Sequence, residues 1–197
     1  MKLLRWFVIL LIVFFGYRQY KERPLQPPTG VIAANDPVQN EVSNGARFSK
    51  NNYQLQTLAE FEIEARVLAK ESYSTGRESD LSPLDLALGW GSMSDSAVLK
   101  QLSISQGNRF YFYQWENTPP RPPEEIAEHS ANMHLIPSSA EIEKQMKAVR
   151  VGQVVKIIGK LVEVQASDGW RWRSSLTRKD TGNGACELIY VEGIRIR

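Results

Sequence analysis

The residues of this sequence with the most potential for chemistry are its single cysteine, Cys186, and its two histidines, His129 and His134. A thiol next to a histidine base is the arrangement used by cysteine nucleophiles in enzymes that cut or join peptides. The sequence around Cys186 carries no local signature of such a family. A lone cysteine at the start of an apolar segment is more often a small core residue, so catalysis by Cys186 is the less favoured hypothesis.

A metal site is the second chemical possibility. Zinc needs three or four ligands, and His129 and His134 are five positions apart, a spacing that neither a helix nor a strand places on one face. A loop would have to bring them together with Asp95, Glu128 or Asp180. We therefore predict no metal site and no cofactor.

A run of alternating tryptophan and arginine, residues 170–173, is the strongest candidate for a binding surface. A strand that begins after the turn at Asp168 would place the two tryptophans on one face and the two arginines on the other, and both faces cannot be core. A further tryptophan, Trp90, lies between two glycines and could approach a ligand closely. The predicted contact surface consists of Trp90, His134, Trp170, Arg171, Trp172 and Arg173.

Interleaved aromatic and basic residues are also used by proteins that bind single-stranded nucleic acid. The charge of this chain does not favour that reading. The formal net charge is +2, and residues 151–197 carry eight Lys and Arg against five Asp and Glu. Nucleic acid is therefore not expected as a ligand, although a nucleic-acid-binding module stays open as an alternative.

The N-terminus predicts attachment to a membrane. A basic start is followed by an unbroken apolar run over residues 6–15 and then by charged residues from Arg18 onward. We predict an uncleaved anchor over residues 1–20, although the apolar run is shorter than the roughly 20 residues of an ideal spanning helix. Its membrane-contacting residues would include Leu3, Trp6, Phe15 and Tyr17. A cleaved signal peptide is the alternative, but no cleavage pattern of small residues directly follows the run.

The orientation in the membrane is less well specified, because Lys2 and Arg5 precede the apolar run while Arg18, Lys21 and Arg23 follow it. The positive-inside comparison is nearly tied. A short basic tail before one apolar segment most often stays in the cytoplasm. We therefore expect a single-pass protein of the bacterial inner membrane with a periplasmic C-terminal domain.

Residues 21–52 are rich in Pro, Asn and Gln and have no sustained periodicity, which predicts a flexible tether. A folded domain follows over residues 53–197. Its elements would be a strand over 61–67, a hairpin of 102–105 with 109–115, a strand over 154–164 bent at Gly159, and strands over 170–176 and 187–194. Residues 58–70 could alternatively form an amphipathic helix.

Two short helices complete the prediction, one opened by Pro122-Pro123 and one capped by Ser139. The fold class is α+β and mainly β, with five or six strands. Strands that must bend and close in so few residues predict a small OB-like barrel, preceded by the N-terminal transmembrane helix.

Three segments, residues 88–91, 129–137 and 169–177, resemble a group of uncharacterised bacterial membrane-anchored proteins. The resemblance covers most of the chain after the tether. It implies membrane attachment and brings no assigned activity, so it supplies no catalytic residue.

These patterns together predict a non-enzymatic binding or scaffolding protein of the bacterial envelope. Its partners would be the lipid bilayer, through the N-terminal helix, and a protein or envelope component, whose local concentration a tether raises. The alternatives are an envelope-acting hydrolase or transferase that uses Cys186 with His129 or His134, and an OB-like nucleic-acid-binding module.

Overall fold

The computed structural model describes residues 2–180, 182 and 184–197. The α-helices are α1 (Lys2–Glu22), α2 (Ser96–Leu99), α3 (Pro123–Glu128) and α4 (Ala140–Ala148). The strands are β1 (Val38–Glu41), β2 (Arg47–Lys50), β3 (Tyr53–Ser72), β4 (Leu84–Gly89), β5 (Ser103–Gly107), β6 (Phe110–Gln114), β7 (Ser130–Pro137), β8 (Val154–Ala166), β9 (Arg171–Arg173) and β10 (Glu187–Ile196). Strands hold 42% of the residues and helices 21%, so the predicted mainly β fold is confirmed.

A ring of paired strands forms the centre of the molecule. Its order is β3-β4-β7-β10-β8 and back to β3, with β7 and β10 parallel and the other neighbours antiparallel. Strand β3 pairs with both β4 and β8, and these two pairings close the ring. Residues 61–67 lie within β3, so the predicted strand is confirmed and the alternative helix over 58–70 is wrong.

The main core comes from alternate residues of these five strands, because side chains of a strand point to its two faces in turn. Helix α4 adds Met146, and Val149, which directly follows the helix, also belongs to this core. Its first turn is capped as predicted, since the Ser139 side chain accepts a hydrogen bond from the backbone N–H of Ile142. Both predicted helices are thereby found, as α3 and α4.

Strands β5 and β6 form the predicted hairpin, which is a separate two-stranded sheet. Its turn is at Asn108 and Arg109, whose φ values are 52° and 69°, so Arg109 lies in the turn and not at the start of the second strand as predicted. Tyr111, Tyr113 and Trp115 pack beside a buried cluster that contains Met93, so the hairpin covers part of the ring.

The segment predicted as a tether is packed against the domain over much of its length. Strands β1 and β2 pair with β3. Before them, the N–H of Leu25 donates to the Val151 carbonyl at 2.8 Å, and Ala33 is 2% exposed. Proline and glycine prevent a regular helix in this segment. Its backbone N–H and C=O groups instead form hydrogen bonds with residues elsewhere in the chain. The packed region therefore begins near Leu25 rather than at residue 53.

The N-terminal segment is helical, and α1 matches the boundaries of the predicted anchor closely. Within the described residues, however, the structure contains no helix with both the length and the apolar character needed to cross a membrane. The predicted transmembrane helix is therefore not supported by the structure. Trp6 is exposed, and the side chains of Leu3, Phe15 and Tyr17 lie outside the described part of the chain.

The contact between Leu25 and the turn that precedes β8 gives a testable prediction at Gly152. Its φ is +91°, and an added Cβ would lie 2.0 Å from the Leu25 carbonyl oxygen. We expect Gly152→Ala to lower the free energy of unfolding by about 1 to 3 kcal/mol more than backbone strain alone, measured by urea denaturation.

Gly169 provides the matched control, because its φ is +90° and an added Cβ would have nothing within 4 Å. Gly169→Ala should show only the strain of a left-handed residue, about 1 to 2 kcal/mol. Equal losses in the two variants would contradict the docking of Leu25.

Candidate functional site

A cleft of about 400 Å³ opens between three segments of the chain. The first is the chain at the start of β1, with Asp36 and Gln39. The second contains Trp90, at the end of β4, with Glu128 and His129 at the end of α3. The third is the loop between β9 and β10. The lining residues are Asp36, Pro37, Gln39, Trp90, Glu128, His129, Leu176, Thr177, Arg178 and Lys179.

Trp90 forms part of the wall of this cleft, although its ring belongs to the core and is fully buried. Its backbone N–H donates to the carbonyl of His129 at 3.0 Å. Its indole Nε1–H donates to Oδ1 of Asp36, also at 3.0 Å. The one polar group of the side chain therefore points from the core into the cleft.

His129 lies beside this hydrogen bond. Its Nδ1 is 2.9 Å from the Glu125 carbonyl oxygen, and because a carbonyl only accepts, Nδ1 carries the hydrogen. In the neutral ring Nε2 is then an acceptor, and only the protonated ring can donate from it. Nε2 lies 3.8 Å from Oδ1 of Asp36.

The loop between β9 and β10 contributes two cations. Arg178 donates from Nη2 to the Gln39 side chain at 3.2 Å, and its Nε lies 2.8 Å from Oε1 of Glu187. Lys179 is 79% exposed at its side chain, with Nζ 3.7 Å from Oε1 of Glu128. The loop is braced by Ser175, whose hydroxyl donates to Asp180 at 2.6 Å. Residues 181 and 183 of this loop lie outside the described residues.

Glu187 is the buried carboxylate behind Arg178. It is 1% exposed, and no described residue completes a hydrogen bond to either of its carboxylate oxygens, although Arg178 forms an ion pair with it. Burial raises the pKa of Glu187 to about 7, and the charge of Arg178 opposes this shift. The negative charge behind the cleft therefore changes near neutral pH.

A second polar cluster lies on the outer face of the ring, beneath the hairpin. Asp85 is fully buried on β4, and Arg109 from the hairpin turn places Nη1 2.7 Å from its Oδ1. His134, the cross-strand neighbour of Asp85 on β7, places Nδ1 3.0 Å from Oδ2 without hydrogen-bond geometry. The His134 ring is 4.9 Å from that of Trp172.

This cluster holds the hairpin on the ring. The Arg109 carbonyl accepts a hydrogen bond from Asn132 at 2.9 Å, and the guanidinium lies 3.7 Å from the centre of the Tyr73 ring. Gln106 donates to Asn132 at 2.6 Å. Arg109 has a left-handed backbone conformation, in which its carbonyl contacts Asn132 and its guanidinium contacts Tyr73. These contacts offset the local backbone strain.

Cys186 shows none of the features of a nucleophile. Its thiol lies 3.8 Å from the Arg109 carbonyl oxygen and 3.9 Å from the Asn132 amide, neither of which is a base. Burial raises the pKa of Cys186 to about 11, so the thiol is neutral at pH 7. The two histidines have partners of their own, Asp36 and Asp85.

Of the six residues predicted as one contact surface, the structure brings His134, Trp170 and Trp172 together, with the Trp170 and Trp172 ring centres 6.1 Å apart. Trp90 lines the cleft, whereas His134 is buried and packs against Trp172. Trp170 packs against the Tyr53 ring at 5.9 Å, and the Arg77 guanidinium lies 4.7 Å from its ring centre. The two arginines of the run are exposed, as strand alternation predicts; one of them, Arg173, pairs with Glu163 at 2.9 Å.

Sequence reasoning missed most of the cleft. Asp36 lies in the predicted tether, and the sequence marks His129 only as a candidate metal ligand or base. Arg178 and Lys179 were counted as basic residues without a position. No local pattern links these residues, which are up to 143 positions apart in the chain.

The buried carboxylate gives a pH-dependent prediction. Because the folded pKa of Glu187 is raised, the folded state binds the proton more tightly than the unfolded state. Stability from this group is therefore present below its unfolded pKa and is lost as the pH rises through about 7. We expect Glu187→Gln to be more stable than the wild type at pH 8 and similar to it at pH 5, measured by urea denaturation.

Glu163→Gln is the matched control, since Glu163 forms an ion pair with the exposed Arg173. It should show no gain in stability on going from pH 5 to pH 8. A constant difference between Glu187→Gln and the wild type across this range would contradict the raised pKa.

No family model, curated protein or solved structure matches this chain.

Proposed function

We propose that this chain is a membrane-attached, non-enzymatic binding or scaffolding protein of the bacterial envelope. In this proposal its ring is an OB-like barrel that holds the ligand-binding cleft close to the bilayer. The observation that carries the proposal is the uncovered apolar surface of α1.

Helix α1 exposes large apolar side chains on all its sides. Leu4, Trp6, Leu10 and Ile12 are each between 65% and 68% exposed, and every described apolar residue from Val8 to Phe14 is at least 40% exposed. Because successive residues of a helix are about 100° apart, such a run leaves no polar face for water. Burial of each large apolar side chain is worth about 1.5 to 3 kcal/mol, which favours insertion into lipid.

The charged residues at the two ends of this apolar run also favour insertion of α1 into lipid. Arg5 precedes it and Arg18 follows it. Long basic side chains can reach the headgroups while their stems remain in the apolar region, which eases the short length of the run. Trp6 is an aromatic residue of the type enriched at membrane interfaces.

The contacts of the N-terminal segment support a domain held directly at the bilayer. Helix α1 ends at Glu22, and Leu25 is already hydrogen-bonded to Val151. Only Arg23 and Pro24 lie between, so Glu22 and Leu25 are separated by at most about 11 Å. The Arg23 carbonyl accepts a hydrogen bond from Nε of Arg150 at 3.1 Å. The domain would therefore lie next to the membrane, without the reach of a long tether.

The ring order supports the OB-like assignment. Numbered along the chain, the ring strands follow the order 1-2-3-5-4-1, with α4 between the third and fourth. OB-folds bind ligands on the face of their second and third strands and with the loop between the fourth and fifth. Here the face of the second and third ring strands is covered, because Arg109 of the hairpin forms an ion pair with Asp85 on β4. The loop between the fourth and fifth strands supplies Arg178 and Lys179 to the cleft.

This arrangement favours the cleft as the binding site. The cleft-lining groups are hydrogen-bond donors and ion pairs rather than an activated nucleophile with a base. A binding role fits these groups better than hydrolysis or transfer.

Membrane attachment is tested with the full-length chain carrying Ile9→Asp and Ile12→Asp. A charged side chain costs about 2.5 to 3.5 kcal/mol at the centre of a membrane helix, so we expect the variant to move from the membrane to the soluble fraction. The measurement is fractionation of expressing bacteria, followed by a carbonate wash of the membranes.

A variant with Gln101→Glu and Asn117→Asp adds the same charge at exposed positions of the domain and serves as the control. It should remain in the membrane fraction. Recovery of the wild-type chain in the soluble fraction would overturn the proposal.

The orientation is tested by fusing reporters to Arg197. We expect a periplasmically active phosphatase reporter to be active and a cytoplasmic fluorescent reporter to be dark, because the short basic tail before the helix stays in the cytoplasm. The opposite result would place the domain in the cytoplasm and exclude envelope ligands.

A further inference from the structure

We propose that the cleft binds the carboxylate of a peptide ligand, and that Asp36 occupies the carboxylate position in the free protein. This inference rests on the proposed binding function and specifies the ligand of that same cleft. The ligand chemistry is an acidic side chain or the C-terminal carboxylate of a short peptide.

The indole of Trp90 defines the position. Its ring is fully buried, and its Nε1–H is directed at the cleft, where Oδ1 of Asp36 accepts the hydrogen bond. A buried donor without an acceptor is costly, so this position demands an oxygen. The side chain of Asp36 is nevertheless 79% exposed. A carboxylate with such exposure is held weakly and can be replaced by another one.

The charges around the position favour an anionic ligand over a neutral one. Arg178 and Lys179 line the same cleft. Glu128 is the other acidic residue in the lining, and it lies 3.7 Å from Lys179. The Lys179 side chain is 79% exposed beside the cleft, so it can pair with an incoming carboxylate, whereas a neutral ligand would gain no such ion pair.

The surroundings of Asp36 indicate a peptide. The preceding residues lie along the 3-10 helical turn at Gly91–Ser94, where Gly91 donates to the Ala33 carbonyl at 2.8 Å and the N–H of Ala33 donates to Ser94 Oγ at 3.1 Å. This surface thus already binds an extended segment of the chain itself through its backbone. A cleft of about 400 Å³ beside it has room for a short peptide.

The test uses the full-length protein in lipid nanodiscs and follows the indole N–H resonance of Trp90 by NMR, assigned with Trp90→Phe. Three tripeptides are titrated: one blocked at both ends with a central aspartate, one of alanines with a free C-terminal carboxylate, and one blocked with a central asparagine. We expect saturable shifts with at least one of the first two and none with the third. Comparing the first two identifies the source of the carboxylate.

Variants at Asp36 test the internal competitor. If Asp36 occupies the position about 90% of the time, its removal in Asp36→Ala raises the apparent affinity about tenfold. Asp36→Asn keeps a neutral acceptor and should give a smaller increase. Lys179→Gln should weaken binding, whereas Lys156→Gln, which removes the partner of Glu62 away from the cleft, should leave it unchanged.

Equal binding of the aspartate and asparagine peptides would overturn the carboxylate specificity while leaving a binding function intact. No response to either acidic peptide, or unchanged affinity in both Asp36 variants, would overturn the inference. Membrane attachment is measured separately by fractionation, so its failure is distinguished from either result.

Discussion

The double pairing of β3 is the constraint on which the rest of the structure depends. One 20-residue strand hydrogen-bonds to β8 over residues 53–66 and to β4 over residues 66–72. This closes the ring and encloses the main core without leaving an open sheet edge between these strands. The same strand also receives β1 and β2, and so it fixes the N-terminal segment that carries Asp36 to the cleft.

Two buried carboxylates hold the hairpin and the loop between β9 and β10 against the ring. Asp85 forms an ion pair with Arg109 beneath the hairpin, and Glu187 forms an ion pair with Arg178 behind the cleft. A buried charge is costly unless a partner compensates it. Each pair therefore joins a loop to a ring strand at one defined place. The Arg109 pair covers a face of the ring, and the Arg178 pair leaves a cation at the edge of an open cleft.

Strand and helix positions followed from local patterns, whereas the binding residues did not. Alternation in residues 61–67 and the cap at Ser139 depend on neighbours in the chain, and both were found. The composition of residues 21–52 predicted a tether because it lacks periodicity, but Ser94 and Ser96 supply its hydrogen-bond partners from over 60 positions away. The residue types of the run Trp170 to Arg173 predict a binding surface, yet Trp172 packs against His134 and Trp170 packs beneath Arg77.

The sequence by itself determined the mainly β character, the two longer helices of the domain, the hairpin and the apolar N-terminal helix, because each depends on periodicity, turn residues or composition within a short window. Only the tertiary structure decided that the ring closes, that the predicted tether packs on it, and that Asp36, Trp90, His129 and Arg178 meet at one cleft. These features depend on contacts between residues far apart in the chain. No local pattern encodes such contacts, since they form only when burial and hydrogen bonding are satisfied for the whole domain together.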